Sequence, residues 1–333
     1  MIDLNVRLDS SLSEDEYKYL AHLQGIELPS DFPKGYKVEL DNAKKEDYFK
    51  ARELALELLQ TEEAIQWAFE SLIHRLYRYG YVYLEIAFTP FLHLKEGLSQ
   101  RRLIKIALDG IHNALERCKG FNVGLVLYAH REASFAFNQE TMHLALENRD
   151  QGIVAIGIEG DDKGKKVSSY EKFFRPAKMS EFPIVFELGE NFADEQSIKD
   201  AVELGAKRII FPYALPVDFM LASQYCEKHI YFEYHPSCDF VLERGKPLKE
   251  FAIKDTWAYG YQGYIASYGS FICDSDLVHE ARKLKKAQDF KREDFQHSVS
   301  VSVQAAFIKD ILAKTRLIQL FAKYFDSFYS RTV

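Results

Sequence analysis

TMHLALENRDQGIVAIGIEGDD, residues 141–162, contains one complete helix-to-strand unit, and its reading decides the fold. Thr141–Asn148 repeats its apolar residues at helical spacing. Gly152 stands where that helix must stop, in the place of a left-handed C-terminal cap. Ile153–Glu159 then runs apolar on both faces and rich in β-branched residues, as suits a parallel strand covered on both sides. It ends in Glu159-Gly160-Asp161-Asp162, a polar turn.

The same pattern recurs along the chain. Short apolar runs occur at Ile2–Leu8, Val82–Thr89, Val123–His130, Ile153–Glu159, Ile184–Leu188, Arg208–Tyr213, Tyr231–His235 and Tyr264–Tyr268. Amphipathic intervals separate them, Tyr48–Tyr79 and Gln100–Arg117 being the longest, and Gly80, Gly120 and Gly205 repeat the role of Gly152. Strands alternating with helices imply βαβ units. Eight such units predict an α/β protein, a (β/α)₈ TIM barrel. More than 70 residues separate the first two runs, too many for one crossover, so extra helices are expected there. Arg292–Phe328 reads as two further helices at the C-terminus. With no internal repeat and no linker-like composition, residues 1–333 are expected to form a single domain.

Composition narrows the function. A hydrophobic fraction of 47% over 333 residues can fill one large barrel. The net charge of -7, with both signs interspersed and no basic block, argues against a nucleic-acid partner. No run of about 18 apolar residues is long enough to span a bilayer, and MIDLNVRLDSSLS lacks the features of a secretory signal. No membrane association and a cytoplasmic location are therefore expected. Cys118, Cys226, Cys238 and Cys273 show no CxxC spacing, which suits free thiols.

In a barrel of this kind the chemistry gathers at the C-terminal strand ends. Those ends read Asn5-Val6-Arg7-Leu8-Asp9-Ser10, Gly160-Asp161-Asp162, Glu187-Leu188-Gly189-Glu190, Arg208-Ile209-Ile210-Phe211-Pro212, His235-Pro236-Ser237 and Ser267-Tyr268-Gly269-Ser270. In this order they resemble the signatures of the adenosine deaminase family. Asn5–Ser10 falls where that family has His-x-His-Leu-Asp-Gly, and Tyr83-Leu84-Glu85 with Pro90 is similar to Tyr-x-Glu-x-Arg-x-x-Pro. Gly157–Asp162 resembles Asp-Leu-Ala-Gly-Asp-Glu, and Glu187–Glu190 falls on His-Ala-Gly-Glu. Arg208–Pro212 falls on Arg-Ile-Gly-His-Gly, Glu233–Asp239 on Glu-x-Cys-Pro-Thr-Ser-Asn, and Ser267–Ser270 on Thr-Asp-Asp-Pro. The likeness covers nearly the whole chain, although no motif survives intact.

The resemblance implies a zinc-dependent hydrolase that deaminates a purine at C6 with a metal-bound hydroxide. Carried over residue by residue, the metal positions fall on Asn5, Arg7, Glu187 and Tyr268, with Gly269 beside the last, and the catalytic histidine falls on Phe211. Only Glu190, the proton-shuttling glutamate, and Asp9 and Gly160, which would touch ribose and purine, keep their identity. An amide oxygen is a poor zinc ligand, and a guanidinium repels the ion. Zinc is therefore not expected, and no other cofactor is implied. Arg7 faces Asp9, Glu187 and Glu190, and a pairing of Arg7 with Glu187 could replace the metal.

Three functions stay open at this stage. One is a degenerate deaminase, a pseudoenzyme that binds a purine nucleoside or base, or that regulates an active paralogue or another copy of itself. The second is a metal-free enzyme with Glu190 as acid and base and Arg7 stabilising negative charge. The third is a structural subunit with a filled barrel mouth, since Phe211 and Tyr268 are bulky where the family has small polar groups. Plainer roles also stand beside the functional ones. Asp9 could cap the helix starting near Leu12, and His130 and His235 are read as hydrogen-bonded structural residues. Phe211, Tyr213, Tyr234 and Tyr268 either fill the barrel or stack on a flat base. The glycine-rich Gly160–Gly164 lacks the spacing of a phosphate loop.

Overall fold

The computed structural model describes residues 1–161, 164–188, 194–243 and 247–330. Eight strands lie side by side and parallel in chain order: β1 (Ile2–Arg7), β2 (Tyr83–Phe88), β3 (Asn122–His130), β4 (Ile153–Glu159), β5 (Ile184–Glu187), β6 (Ala206–Ile210), β7 (Tyr231–Tyr234) and β8 (Gly263–Ile265). Beyond β8, Val6 bridges Tyr268, whose N–H donates to the Asn5 carbonyl at 3.0 Å. The chain thus returns to β1, and the sheet closes into the expected barrel. Every residue of β1, β2, β5, β7 and β8 is buried, the signature of strands covered on both faces.

The helices wrap this sheet. Between β1 and β2 lie α1 (Glu14–Gln24), α2 (Lys45–Leu58) and α3 (Glu62–Arg78). Then follow α4 (Gln100–Arg117), α5 (Phe135–Glu147), α6 (Glu171–Met179), α7 (Glu195–Leu204), α8 (Phe219–Glu227), α9 (Pro236–Val241), α10 (Ile253–Ala258), α11 (Leu277–Gln288), α12 (Arg292–Ala305) and α13 (Ile311–Ser330). The extra helices expected after the first strand and at the C-terminus are present. Gly205 caps α7 with φ 100°, a conformation that favours glycine.

Several boundaries differ from the sequence reading: most strand ends move by a residue or two, α5 starts at Phe135 rather than Thr141, and three further differences have a local cause. The apolar repeat over Tyr48–Tyr79 is two helices, because Thr61 starts α3 by accepting the Ala64 N–H, and Gln60 pins the break by donating to the Leu56 and Leu92 carbonyls. The sixth run stops as a strand at Ile210, since Phe211 turns the backbone to φ 61°. The eighth stops at Ile265, and Tyr268 takes φ 64°. Apolarity persists through both ends because the residues stay buried after the strand has ended.

A charged ladder crosses the barrel interior. Arg208 on β6 reaches Glu85 on β2 at 2.8 Å, and these strands stand opposite each other in an eight-stranded ring, so the pair spans the core. Both side chains are almost fully buried, at 1% and 0% exposure. Arg208 also lies 3.6 Å from Glu233 on β7 and donates to the Leu4 carbonyl at 3.1 Å. The segment after α12 plugs the lower end: the Phe307 N–H donates to Glu85 at 2.7 Å, and Arg208 donates to the Ala305 carbonyl at 3.1 Å.

Candidate functional site

Alternation along β1 sends Asn5 and Arg7 to the same side of the strand, one pleat apart, toward the barrel interior. Asn5 joins the ladder, donating to Glu233 at 2.6 Å. Glu233 also accepts from the Tyr264 hydroxyl and lies 2.8 Å from His235 Nε2. The other ring nitrogen of His235 faces Asp239 at 3.2 Å. Burial works against a charged imidazole, but Asp239 and Glu233 outweigh it and push the His235 pKa up to about 10. His235 is thus a buried imidazolium held between two carboxylates, the structural role expected of it, with neither nitrogen available to a metal.

Arg7 occupies the centre of the mouth at 1% exposure. Its Nη2 bonds Glu159 at the end of β4, its Nη1 lies 3.6 Å from Glu187 at the end of β5, and its Nε lies 3.6 Å from Asp9. Its guanidinium also sits over the rings of Tyr268 and Tyr128, with centroids at 5.1 and 5.5 Å. Burial alone would lower the Arg7 pKa, but Glu159 leads the neighbours that raise it well above the usual value. The expected pairing with Glu187 is therefore the weaker contact, and Glu159 is the direct partner.

A second cation completes the group. Arg52 on α2 donates to Asp9 through Nε at 2.8 Å and lies 3.3 Å from Glu159, with its side chain only 15% exposed. Thr89, just past β2, donates to Glu159 as well. Burial pushes the Glu159 carboxyl up, yet Arg7 and then Arg52 outweigh that and hold it far below the carboxylate range. Asp9 is likewise held low, by Arg52 before Arg7. Asp9 does not cap a helix: Ser13 caps α1, in a capping box with Glu16.

The remaining positions fall around this centre. Tyr268 donates its hydroxyl to Glu187 at 3.3 Å. Phe211 is fully buried beneath it, with ring centroids 5.6 Å apart. Both residues hold a left-handed backbone that costs a non-glycine residue about 1–2 kcal/mol. Gly160, at φ 100°, packs so closely on His130 that an added Cβ would lie 2.9 Å from its Nε2. Its carbonyl accepts from Arg131 at 2.8 Å, and Arg131 also donates to the Glu187 carbonyl. Gly269 packs against Cys238 and Tyr48. His130 stacks on Phe91, and burial lowers its pKa, which keeps the ring neutral. Glu190 lies outside the described residues.

Above the Arg7 centre a cavity of about 340 Å³ remains, lined by Tyr48, Phe49 and Arg52 from α2 and by His130, Glu159, Glu187 and Tyr268, among others. Among the described residues the mouth thus keeps a cavity, and Phe211, which packs on Tyr268, is not part of its lining. Among the described residues, no group of three or more His, Cys, Asp or Glu side chains is placed to hold a metal ion. Nor is any helix there long and apolar enough to cross a membrane.

Arg52, Glu159, Thr89 and Arg131 were absent from the sequence-derived site. Glu159 carried a signal, as the last residue of a strand run. Arg52 carried a fainter one, lying one turn after Tyr48 beside the buried stripe of α2.

The adenosine deaminase family model matches residues 1–324. The chain belongs to the adenosine deaminase family. Among its relatives in that family is the adenosine deaminase of Haemophilus ducreyi, 26% identical over 332 residues, which span 97% of this chain and 96% of the relative. Solved structures agree in fold. Adenine deaminase from Arthrobacter aurescens superposes with a TM-score of 0.83 at 18% identity, covering 98% of each chain. The N6-methyl-AMP deaminase of Arabidopsis thaliana gives 0.78 at 20% identity, covering 98% of this chain and 96% of its own. The barrel fold of this deaminase-family chain is thus shared along its length.

Proposed function

We propose that this member of the adenosine deaminase family holds a purine nucleoside or base in its barrel mouth without zinc-dependent hydrolysis. The observation that carries the reading is the guanidinium of Arg7, bonded to Glu159 and set 3.6 Å from Glu187. A divalent cation cannot share that volume with a buried positive charge. The donor set does not fit zinc in other respects. The Asn5 amide could offer only its oxygen, a poor zinc ligand, and Tyr268 approaches Glu187 as a hydrogen-bond donor. Arg7 and Glu159 also depart together from the family pattern, standing where it has a histidine and an alanine, and each supplies the charge the other needs.

The cavity chemistry favours an uncharged, flat ligand. Its volume of about 340 Å³ falls within the range of small-molecule pockets. Tyr48, Phe49 and Tyr268 offer aromatic faces, and Glu187 and His130 offer polar edges. Arg52 is already bonded to Asp9 and Glu159, which leaves little attraction for a phosphate.

Thermal melts with adenosine, inosine and adenine test this reading. A ligand at a hundredfold excess over its Kd stabilises the fold by about 3 kcal/mol, so the melting temperature rises, while ultraviolet absorbance reports no conversion of adenosine. Chelator-sensitive deamination contradicts the proposal, as does a melt indifferent to all three compounds. Chelator-resistant turnover that fails in Glu190→Gln makes the chain a metal-free enzyme instead.

A further inference from the structure

The opposite end of the barrel carries a second cavity. It is a groove of about 520 Å³ at the N-terminal side of the strands, between the starts of β4 to β7 and the segment that joins α12 to α13. Val154, Pro183, Phe307 and Ile308 give it apolar walls. Its charged groups are the amines of Lys207, Lys309 and Lys314, and His229, Tyr231 and Gln304 add neutral polar groups. No carboxylate is among its described lining residues. In a chain of net charge -7, a concave surface bearing three lysines runs against the overall balance.

We infer that this groove is a binding site for a small organic anion with a flat apolar body, distinct from the mouth. The amines are only partly engaged. Lys207 donates to the Lys228 carbonyl at 2.9 Å and Lys314 to the Gln304 carbonyl at 2.7 Å, neutral acceptors that supply no counter-charge of their own. Lys309 pairs with Asp150 at 3.1 Å, but both side chains are well exposed, so that pair is weak and readily exchanged. Lys314 is half-buried, and a cation withdrawn from water gains from an anion brought against it.

The groove is also built rather than improvised. Its wall is fixed from behind, where the Ala305 carbonyl accepts from Arg208 and the Phe307 N–H donates to Glu85. The Phe307 ring lies 4.3 Å from the Arg208 guanidinium, which keeps it in place. A preformed apolar slot with a few convergent cations is the usual construction of a small-molecule site. The carboxylate or phosphate of the ligand would meet the lysines, and its flat body would lie against Phe307 and Ile308.

Calorimetric titration of the full chain with indole-3-acetate, beside its uncharged analogue indole-3-acetamide, tests this. The acid should bind, and the amide at least about tenfold more weakly, the worth of one charge-assisted contact. Lys207→Gln with Lys314→Gln should weaken the acid by about tenfold or more, while saturating adenosine leaves it unchanged. Should that double variant fold poorly, Lys207→Gln with Lys309→Gln, both exposed, gives the same readout. Equal binding of acid and amide, no binding of either, or affinity indifferent to the lysine changes overturns the inference.

Discussion

Arg7→Ala is expected to lower stability by about 3–5 kcal/mol, read as a large fall in melting temperature at neutral pH. Three carboxyl groups converge on this guanidinium, and Glu159 and Glu187 have side chains only 2% exposed. Removing the cation leaves buried charge against charge, and Arg52 alone must compensate. The pH dependence gives a second handle. Glu159 and Asp9 have folded pKa values held below their unfolded ones, so their contribution is present above about pH 4 and is lost as pH falls. The gap between parent and variant should therefore narrow in acid. Replacing both partners, Arg7→Leu with Glu159→Leu, should recover part of the loss, because the Glu159 charge leaves together with the Arg7 charge, while Glu187 and Asp9 still lose that guanidinium. A melting temperature unmoved by Arg7→Ala would show that the guanidinium does not organise the mouth.

His235 should impose the opposite pH trend. Its folded pKa is raised from an unfolded value of about 6.5 to about 10, so its contribution is complete below the first and is lost as pH rises through the second. Stability should decline by a few kcal/mol across that window. His235→Gln can still donate to Glu233 but cannot titrate, so its melting profile should be flatter over the same range. Parallel profiles for parent and variant would mean that the ring is neutral when folded.

The fold was legible because it rests on repetition. Eight runs apolar on both faces, separated by amphipathic intervals, admit few arrangements other than a closed barrel. What escaped was the charged ladder. Arg208, Glu85 and Glu233 sit inside runs whose apolar neighbours dominate the pattern, and nothing local marks that β2 and β6 will face each other. The centre of the mouth was half legible. Arg7, Asp9 and Glu187 stand at strand ends, where position alone singles them out. Glu159 also ends a strand, but the family motif has alanine there and draws the eye to Gly160. Arg52 comes from a helix in the long insertion after β1, more than forty residues from its partner Asp9, and only the folded chain brings them together.

If the Arg7 guanidinium stands in the place of a metal, as proposed, zinc content must show it. Protein purified without chelator, incubated with excess zinc and then desalted should retain far less than one zinc per chain by mass spectrometry. One tightly held zinc per chain, lost when Glu187 is replaced by alanine, would contradict it.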